Sequence, residues 1–304
     1  TFDDGYPIFP GHENNLVAWY KFDDEPVNNG TLTNYGTGGT TYNGTIHIVN
    51  NGIEKISGDI YQTKYHWKSD ASDGNYISVP PAILSQLYNT GHSISFWAKD
   101  ASTSDYDYTV LSTSSTGDSQ NIYIRIHAPW SSGVVYYDNG DGIDPNRNGR
   151  INTPGGLSNN ELVYWTFTRE NLSNGTQIKT SIYKNGSLLK SATYDRVDFD
   201  NATSSACFFI GYNTSGSLIF KNKSLEDFRI YDKALSPDEV KQIYGYTLSR
   251  QQGRISPYAY FFNGSTTVDT DNAYITTDTI TNFPSTFSIA FWKRCLDKSV
   301  EGKS

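Results

Sequence analysis

The chain has 304 residues and a formal net charge of −8. This charge would repel a phosphate backbone, and no cluster of Lys and Arg offsets it locally, which argues against nucleic acid as a partner. No run approaches the roughly 18 apolar residues of a membrane span, so membrane insertion is not expected. The 23 Tyr, 15 Phe and 6 Trp, set among many Thr, Ser, Asn and Gly, favour strands and turns over helices.

Short apolar or alternating runs, each bounded by turn residues, recur along the chain and predict strands. They lie at 16–22, 75–79, 93–99, 108–112, 121–127, 134–137, 162–169, 178–184, 187–194, 206–212 and 225–232. Few helical periods separate these runs, whereas a parallel sheet would need crossover helices. The sequence therefore predicts an all-β, two-sheet antiparallel sandwich of the jelly-roll type.

Two local signals fix a turn and a helix. Asn185-Gly186 lies between two alternating runs and predicts a type I′ hairpin, because both central residues of that turn need positive φ. Ser236 can cap a helix, Pro237 suits its first position, and Glu239 can complete a capping box. We expect a short helix at about 237–244 that closes the domain.

The order of the runs suggests one complete unit and the start of another. NAYITT at 272–277 followed by FSIAFWKR at 287–294 repeats the earlier order of NYISV followed by HSISFWAK. The expected domains are an N-terminal extension at 1–13, a sandwich at 14–246, a polar linker at 247–256 and the start of a second, truncated unit at 257–304. Either the sequence is a fragment, or residues 255–304 pack on the first unit or on a partner.

The same segments resemble a known family. LVAWYKFDD, SISFWAK, YWTFTR, IYKNGSLL, FFIGYN and SLEDFRIYDKALSPDEVKQIY follow the order seen in laminin-G-like domains of the concanavalin A-like lectin family. The resemblance covers about 14–246 and again about 257–294. It implies two curved antiparallel sheets, with the first and last strands of the unit side by side.

This neighbourhood of terminal strands suggests a metal site. Asp23 and Asp24 follow the first strand, and Glu226 and Asp227 open the last, so the resemblance would bring the four acids together. Ca²⁺ prefers such oxygen ligands, and relatives often carry one ion there. The alternative is that these carboxylates are solvated strand ends, or that they pair with Lys21 or Arg229.

A second acidic segment, DNGDGID at 138–144, fails the EF-hand spacing because its glycines occupy the wrong positions. One interpretation is an exposed, Gly-rich loop. The other is a ligand-binding rim, to which nearby aromatic rings would add flat faces for sugars. Its candidate residues are Trp130, Tyr136, Tyr137, Asp138, Asn139 and Asp141. By contrast, Trp19, Trp97, Trp165 and Trp292 lie inside alternating runs and are expected in the core.

No catalytic constellation is present in the sequence. Two acids on one strand face, a His-Glu-x-x-His pair, a Gly-x-Ser-x-Gly elbow and a phosphate-binding glycine loop are all missing. We therefore expect no enzyme activity.

Three functions remain open. The first is an extracellular or surface recognition and adhesion domain that binds a glycan or a protein partner through rim loops. The nine Asn-x-Ser/Thr sequences suit such an exterior location, although an Asn-rich chain also produces them by chance. The second is a structural component of a capsid, fibre or surface layer, in contact with other subunits. The third is an accessory module of a secreted hydrolase.

Overall fold

The computed structural model describes residues 2–3, 6–7, 13–48, 53–57, 65–69, 75–87, 91–100, 109–114, 122–130, 133–139, 149–154, 161–196, 207–211 and 223–251. The second unit predicted at 257–304 lies outside these residues, as does its Trp292. The strands are β1 Phe2–Asp3, β2 Tyr6–Pro7, β3 Leu16–Tyr20, β4 Thr31–Leu32, β5 Gly44–His47, β6 Ile53–Ser57, β7 Tyr65–Ser69, β8 Tyr76–Val79, β9 Gly91–Asp100, β10 Thr109–Ser114, β11 Ile122–Trp130, β12 Val134–Asn139, β13 Ile151–Pro154, β14 Leu162–Asn171, β15 Gln177–Lys184, β16 Ser187–Asp195, β17 Cys207–Ile210 and β18 Lys223–Tyr231. The helices are α1 Leu84–Leu87 and α2 Pro237–Gln251, with 3-10 turns at Glu13–Asn15, Gly39–Tyr42 and Pro81–Ile83.

Two large sheets carry nearly all the strands. Sheet I has the order β16-β15-β14-β9-β18-β7-β6, with β3 also paired to β18, and sheet II has the order β13-β12-β11-β10-β17-β8-β5-β4. Every described pair in both sheets is antiparallel. The predicted all-β, two-sheet antiparallel fold is confirmed.

The main core lies between the two sheets. Phe96 of β9 stacks between Phe167 and Phe228 of sheet I, with ring centroids 5.9 and 5.3 Å away. Tyr137 of sheet II contacts Phe167 across the core at 5.4 Å. These rings are fully buried, and each such side chain contributes roughly 1.5–3 kcal/mol when it leaves water. Inward residues of both sheets thus form one apolar layer.

The first and last strands of the unit are neighbours. β3 pairs with β18, so that Tyr20 lies opposite Phe228 and Trp19 opposite Arg229. The β18 register with β9 shifts between Glu226 and Arg229, and Asp227 has a φ of +53°. The expectation of adjacent terminal strands is confirmed, with a β-bulge at Asp227 that the sequence did not predict.

The predicted hairpin is also confirmed. Asn185 and Gly186 have φ values of +51° and +75°, and they join β15 to β16. An added Cβ at Gly186 would lie 2.9 Å from the Tyr244 ring, so this glycine is needed for its conformation and for the approach of α2.

The capping box of α2 forms as predicted. The Ser236 backbone N–H donates to Glu239 Oε2 at 2.7 Å, and the Glu239 N–H donates to Ser236 Oγ at 3.3 Å. The predicted end at 244 is wrong, because α2 continues to Gln251. Val240, Ile243 and Thr247 are all buried, so packing continues along the helix past the predicted end. The first residues of the predicted linker at 247–256 are therefore helical.

Helix α2 covers the outer face of sheet I. Trp97 on that face lies 5.0 Å from the Tyr164 ring and 5.8 Å from the Tyr244 ring of α2. This second cluster also contains Leu16, Trp19, Tyr183, Tyr231, Leu235, Val240 and Ile243. Trp19 and Trp97 are therefore core residues as predicted, but beneath the helix, while Trp165 packs between the sheets.

Across the described ranges, the structure contains no helix with the length and apolar character of a membrane span.

Candidate functional site

The outer face of sheet II differs from that of sheet I. Strand alternation directs Ile46, Ile77, Ile126 and Tyr137 into the core, and their neighbours in sequence point outward. We use "outer face of sheet II" for the outward residues His47, Tyr76, Ser78, Arg125, His127, Tyr136, Asp138, Arg150 and Asn152. Most of these side chains are half-buried, Asn152 is exposed, and His127 and Asp138 are buried.

Strand register aligns the residues at one end of this face. Tyr136 of β12 lies opposite His127 of β11 on one side and Asn152 of β13 on the other. Asp138 lies opposite Arg125 in the next outward row. The pairing of three consecutive strands, β11, β12 and β13, thus aligns a ring, an amide, a carboxylate and arginine side chains on this face.

Arg150 is a charged group on this face that contacts both Asp138 and Tyr136. Its Nη2 donates to Asp138 Oδ2 at 2.8 Å and its Nε donates to Asp138 Oδ1 at 2.5 Å. Its guanidinium carbon also lies 5.1 Å from the centre of the Tyr136 ring. The hydrogen bond to Asp138 raises the pKa of Arg150 although burial opposes it, so the group keeps its charge. Its side chain remains 32% exposed.

The backbone around Arg150 is held from both sides. Gly149 has a φ of +106°, and a Cβ there would lie 1.7 Å from the Asn139 carbonyl oxygen. The Tyr194 hydroxyl of β16 donates to the Arg150 carbonyl. Only glycine allows the chain to pass this close to β12, and the passage sets Arg150 beside Asp138.

The structure separates the residues predicted to bind ligand. Tyr136 and Asp138 lie on the outer face of sheet II, whereas Tyr137 faces the core and Asn139 is buried at the end of β12. The interpretation of 138–139 as part of an exposed loop is wrong, because both residues pair with β11. Trp130 ends β11, but its side chain lies outside the described part, as does Asp141.

Tyr137 belongs to a buried polar group that the sequence did not reveal. Its hydroxyl lies 2.7 Å from His92 Nε2, and His92 Nδ1 lies 3.1 Å from the Leu87 carbonyl oxygen. Since a carbonyl only accepts, Nδ1 carries the proton and Nε2 accepts from Tyr137. Burial, together with the positive charge of Arg169, lowers the pKa of His92 to about 3. This histidine is neutral and structural.

The acids at the terminal strands are bound by protein groups. Asp24 accepts from the Thr33 backbone N–H at 2.7 Å and from its hydroxyl at 2.9 Å. Asp227 Oδ1 accepts from Trp19 Nε1 at 2.6 Å and from Arg229 Nε at 2.8 Å. The pairing of Asp227 with Arg229 matches the alternative in which these acids pair with Lys21 or Arg229.

Glu226 is buried opposite Trp97, and Asp23 is half-buried where the chain leaves β3. Within the described residues, no group of three or more His, Cys, Asp or Glu side chains could hold a metal ion. Calcium at Asp23, Asp24, Glu226 and Asp227 therefore stays a prediction.

The sequence analysis missed Arg125, His127, Arg150 and Asn152. The first two had a usable signal, since alternation in NIYIRIH places Arg125 and His127 on the face opposite Ile124 and Ile126. Arg150 and Asn152 carried no such signal, because their position depends on pairing between β12 and β13.

The fold and the family model agree on the class of this protein. The model described as the concanavalin A-like lectin/glucanases superfamily matches residues 70–241, more than half of the chain. The chain belongs to this laminin-G-like family. No curated protein matches it.

Solved structures with a similar fold include two toxin domains. The receptor binding domain of botulinum neurotoxin C/D mosaic serotype is 20% identical, with a TM-score of 0.51 over 76% of this chain and 51% of that domain. The binding domain of botulinum neurotoxin DC, in complex with rat synaptotagmin II, is 16% identical, with a TM-score of 0.52 over 78% and 52%. The chain thus spans about half the length of these structures, and the likeness concerns the fold.

Proposed function

We propose that this chain is a non-catalytic recognition domain of an extracellular or exterior surface, which binds a glycan through the outer face of sheet II. The observation that carries this proposal is the contrast between the two outer faces. Helix α2 covers the aromatic residues of sheet I, whereas sheet II presents half-buried Tyr136 and Arg150 near exposed Asn152, with half-buried Tyr76 farther along the sheet on β8. Aromatic rings with a few fixed polar groups suit sugars, which offer apolar C–H faces and hydroxyls.

The absence of exposed apolar patches on this face supports a polar ligand. Among the described residues, the exposed large hydrophobic side chains are Val27, Leu188 and Leu189, and none lies on the outer face of sheet II. Cores of protein interfaces are usually more apolar than that. The binding domains named above use the same fold, which adds support for recognition at the level of fold alone.

The described contacts also support a non-catalytic role. His47 Nε2 lies 2.8 Å from Ser78 Oγ on the outer face of sheet II. Within the described part of the chain, however, the contacts of His47 are this serine and the stacked Tyr76 ring at 4.3 Å. A serine and a histidine without an orienting carboxylate do not make a hydrolytic triad.

A printed glycan array tests this function. The tagged chain, applied with calcium and with EDTA, is expected to bind a defined set of glycans. Equal signals in both conditions would place recognition on protein groups alone, whereas loss in EDTA would support the calcium ion predicted near Asp24 and Asp227. A blank array under both conditions contradicts the proposal.

A structural role in an assembly is the second candidate. Leu188 and Leu189 of β16 are 52% and 40% exposed, and the described partner of this strand is β15 alone. An edge strand with exposed leucines can pair with another chain. Light scattering of the purified chain would support this role if it showed oligomers that Leu188→Lys dissociates, and a monomer at all concentrations would contradict it.

A further inference from the structure

The Arg150 guanidinium is oriented before any ligand arrives. Asp138 holds it through two hydrogen bonds, and the guanidinium carbon lies 5.1 Å from the centre of the Tyr136 ring. A guanidinium group has five N–H donors in a fixed plane, and Asp138 occupies donors on Nε and Nη2. The Nη1 side therefore keeps donors for another acceptor, and the side chain is about one-third exposed.

Charge on this part of the face favours an anionic acceptor. Arg150 holds guanidinium donors that Asp138 does not occupy. An acceptor with a negative charge gains more from these donors than a neutral hydroxyl does, because charge-assisted hydrogen bonds are stronger. Planar, two-point contact with carboxylate or sulfate oxygens is the geometry that guanidinium groups favour.

The neighbours of Arg150 suit a sugar rather than a free anion. Asn152 is exposed in the same outward row as Tyr136, and its amide can both donate to and accept from hydroxyl groups. Half-buried Tyr136 lies next to the guanidinium and adds a hydroxyl group. An anionic group at Arg150 would thus place an attached sugar ring over Tyr136 and Asn152.

From this geometry we propose that Arg150 anchors a site for acidic saccharides, meaning sugars that carry a carboxylate or a sulfate group. The proposal rests on the proposed function and adds the ligand class and the anchoring residue. Because the contact is partly exposed, affinity falls as ionic strength rises.

Calorimetric titration with matched sugars tests whether binding requires an acidic group on the ligand. Trigalacturonic acid and its methyl ester differ in charge but share one sugar backbone, and a heparin tetrasaccharide supplies sulfate. We expect at least one acidic probe to bind about tenfold or more tightly than the ester, as one charge-assisted contact allows. Binding of trigalacturonic acid would show that a carboxylate is sufficient. Binding of the heparin probe alone would show that the carboxylates of trigalacturonic acid are not sufficient and would favour sulfate as the bound group.

Two substitutions of Arg150 test whether this residue anchors the acidic group. Arg150→Gln is expected to remove most of the preference for acidic sugar, and Arg150→Lys to retain part of it, because lysine keeps the charge without the planar fork. Lys184→Gln is the matched control, since Lys184 forms a comparable ion pair with Glu161 at 2.8 Å on sheet I. Thermal melts of all variants verify that they fold.

The outcomes separate this proposal from the proposed function. Equal affinity for acid and ester, or an unchanged preference in Arg150→Gln, overturns the acidic-sugar site while glycan binding on the array stands. Failure of both acidic probes to bind also overturns the site. A blank array overturns the recognition function itself.

Discussion

The two outer faces of this sandwich are built from the same kind of strand and have opposite environments. On sheet I, Trp97 and Tyr164 are sealed beneath α2, and even the charged Asp227 and Arg229 are buried there. On sheet II, Tyr136 and Arg150 keep part of their surface in water. Aromatic and charged residues thus stabilise the fold on one face and remain accessible to a ligand on the other, and burial makes the difference.

We expect the largest loss of stability from a substitution on the face of sheet I that lies beneath α2. Trp97→Ala would remove a buried ring that packs on Tyr164 and Tyr244, and such truncations cost about 3–5 kcal/mol. Tyr76→Ala, at a half-buried position of sheet II, should cost far less. Urea unfolding of both variants measures the difference, and equal losses would show that the two faces contribute alike to stability.

Breaking the buried ion pair of sheet I should also cost more stability than breaking the partly exposed pair of sheet II. Asp227→Asn would leave Arg229 buried without its carboxylate, which costs about 3 kcal/mol or more, while asparagine still tolerates the positive φ at this position. Asp138→Asn breaks a pair whose arginine is one-third exposed, for about 1 kcal/mol. Chemical denaturation at neutral pH compares the two, and a larger loss in Asp138→Asn would reverse our assignment of the buried face.

Histidine titration compares the interior with the outer face. The pKa of His92 is lowered from 6.5 to about 3 in the folded chain. Between these two pH values the unfolded chain therefore binds a proton at His92 that the folded chain does not bind. Stability should fall by up to about 1.4 kcal/mol for each pH unit between 6.5 and 3, and this loss ends near pH 3.

His92→Gln keeps an acceptor for the Tyr137 hydroxyl and should flatten this dependence. The pKa of His47 on the outer face of sheet II is also lowered by burial, but that residue is half-buried, so His47→Gln should change the pH profile much less. Thermal melts between pH 7 and pH 4 measure both slopes. A wild-type slope in His92→Gln would mean that other groups cause the acid sensitivity.

We expect the smallest loss of stability from a substitution at the start of α2. Ser236→Ala removes the acceptor of the Glu239 N–H, which costs about 1 kcal/mol because a helix end loses its cap. Ser187→Ala, at an exposed position of β16, is the control and should be neutral. No difference between the melts of these variants would show that packing alone holds the helix in place.

Local signals in the sequence predicted local structure well. Asn185-Gly186 specified its turn through backbone preference, and Ser236 with Glu239 specified a helix start through side-chain hydrogen bonds. The resemblance added one long-range fact, the pairing of β3 with β18. The end of α2 was not predictable, because it depends on the buried contacts of Thr247.

The candidate site was harder to predict because it depends on the register between β11, β12 and β13, which local sequence patterns do not specify. Tyr136 and Tyr137 are adjacent in sequence, yet one faces outward and the other lies in the core beside His92. The Gly-rich sequence after Asp138 is typical of a loop, but Asp138 itself pairs with β11. Arg150 follows a Gly-rich segment, and only the fold brings it to Asp138.

Glycan-array binding of Tyr136→Ala and Leu188→Ala tests the central claim most directly, because these residues lie on sheet II and sheet I respectively. Both variants should melt close to the wild type, since neither side chain is fully buried. If the outer face of sheet II is the binding surface, Tyr136→Ala loses most of the array signal and Leu188→Ala keeps it. Full binding by Tyr136→Ala, or loss in Leu188→Ala alone, would contradict the account.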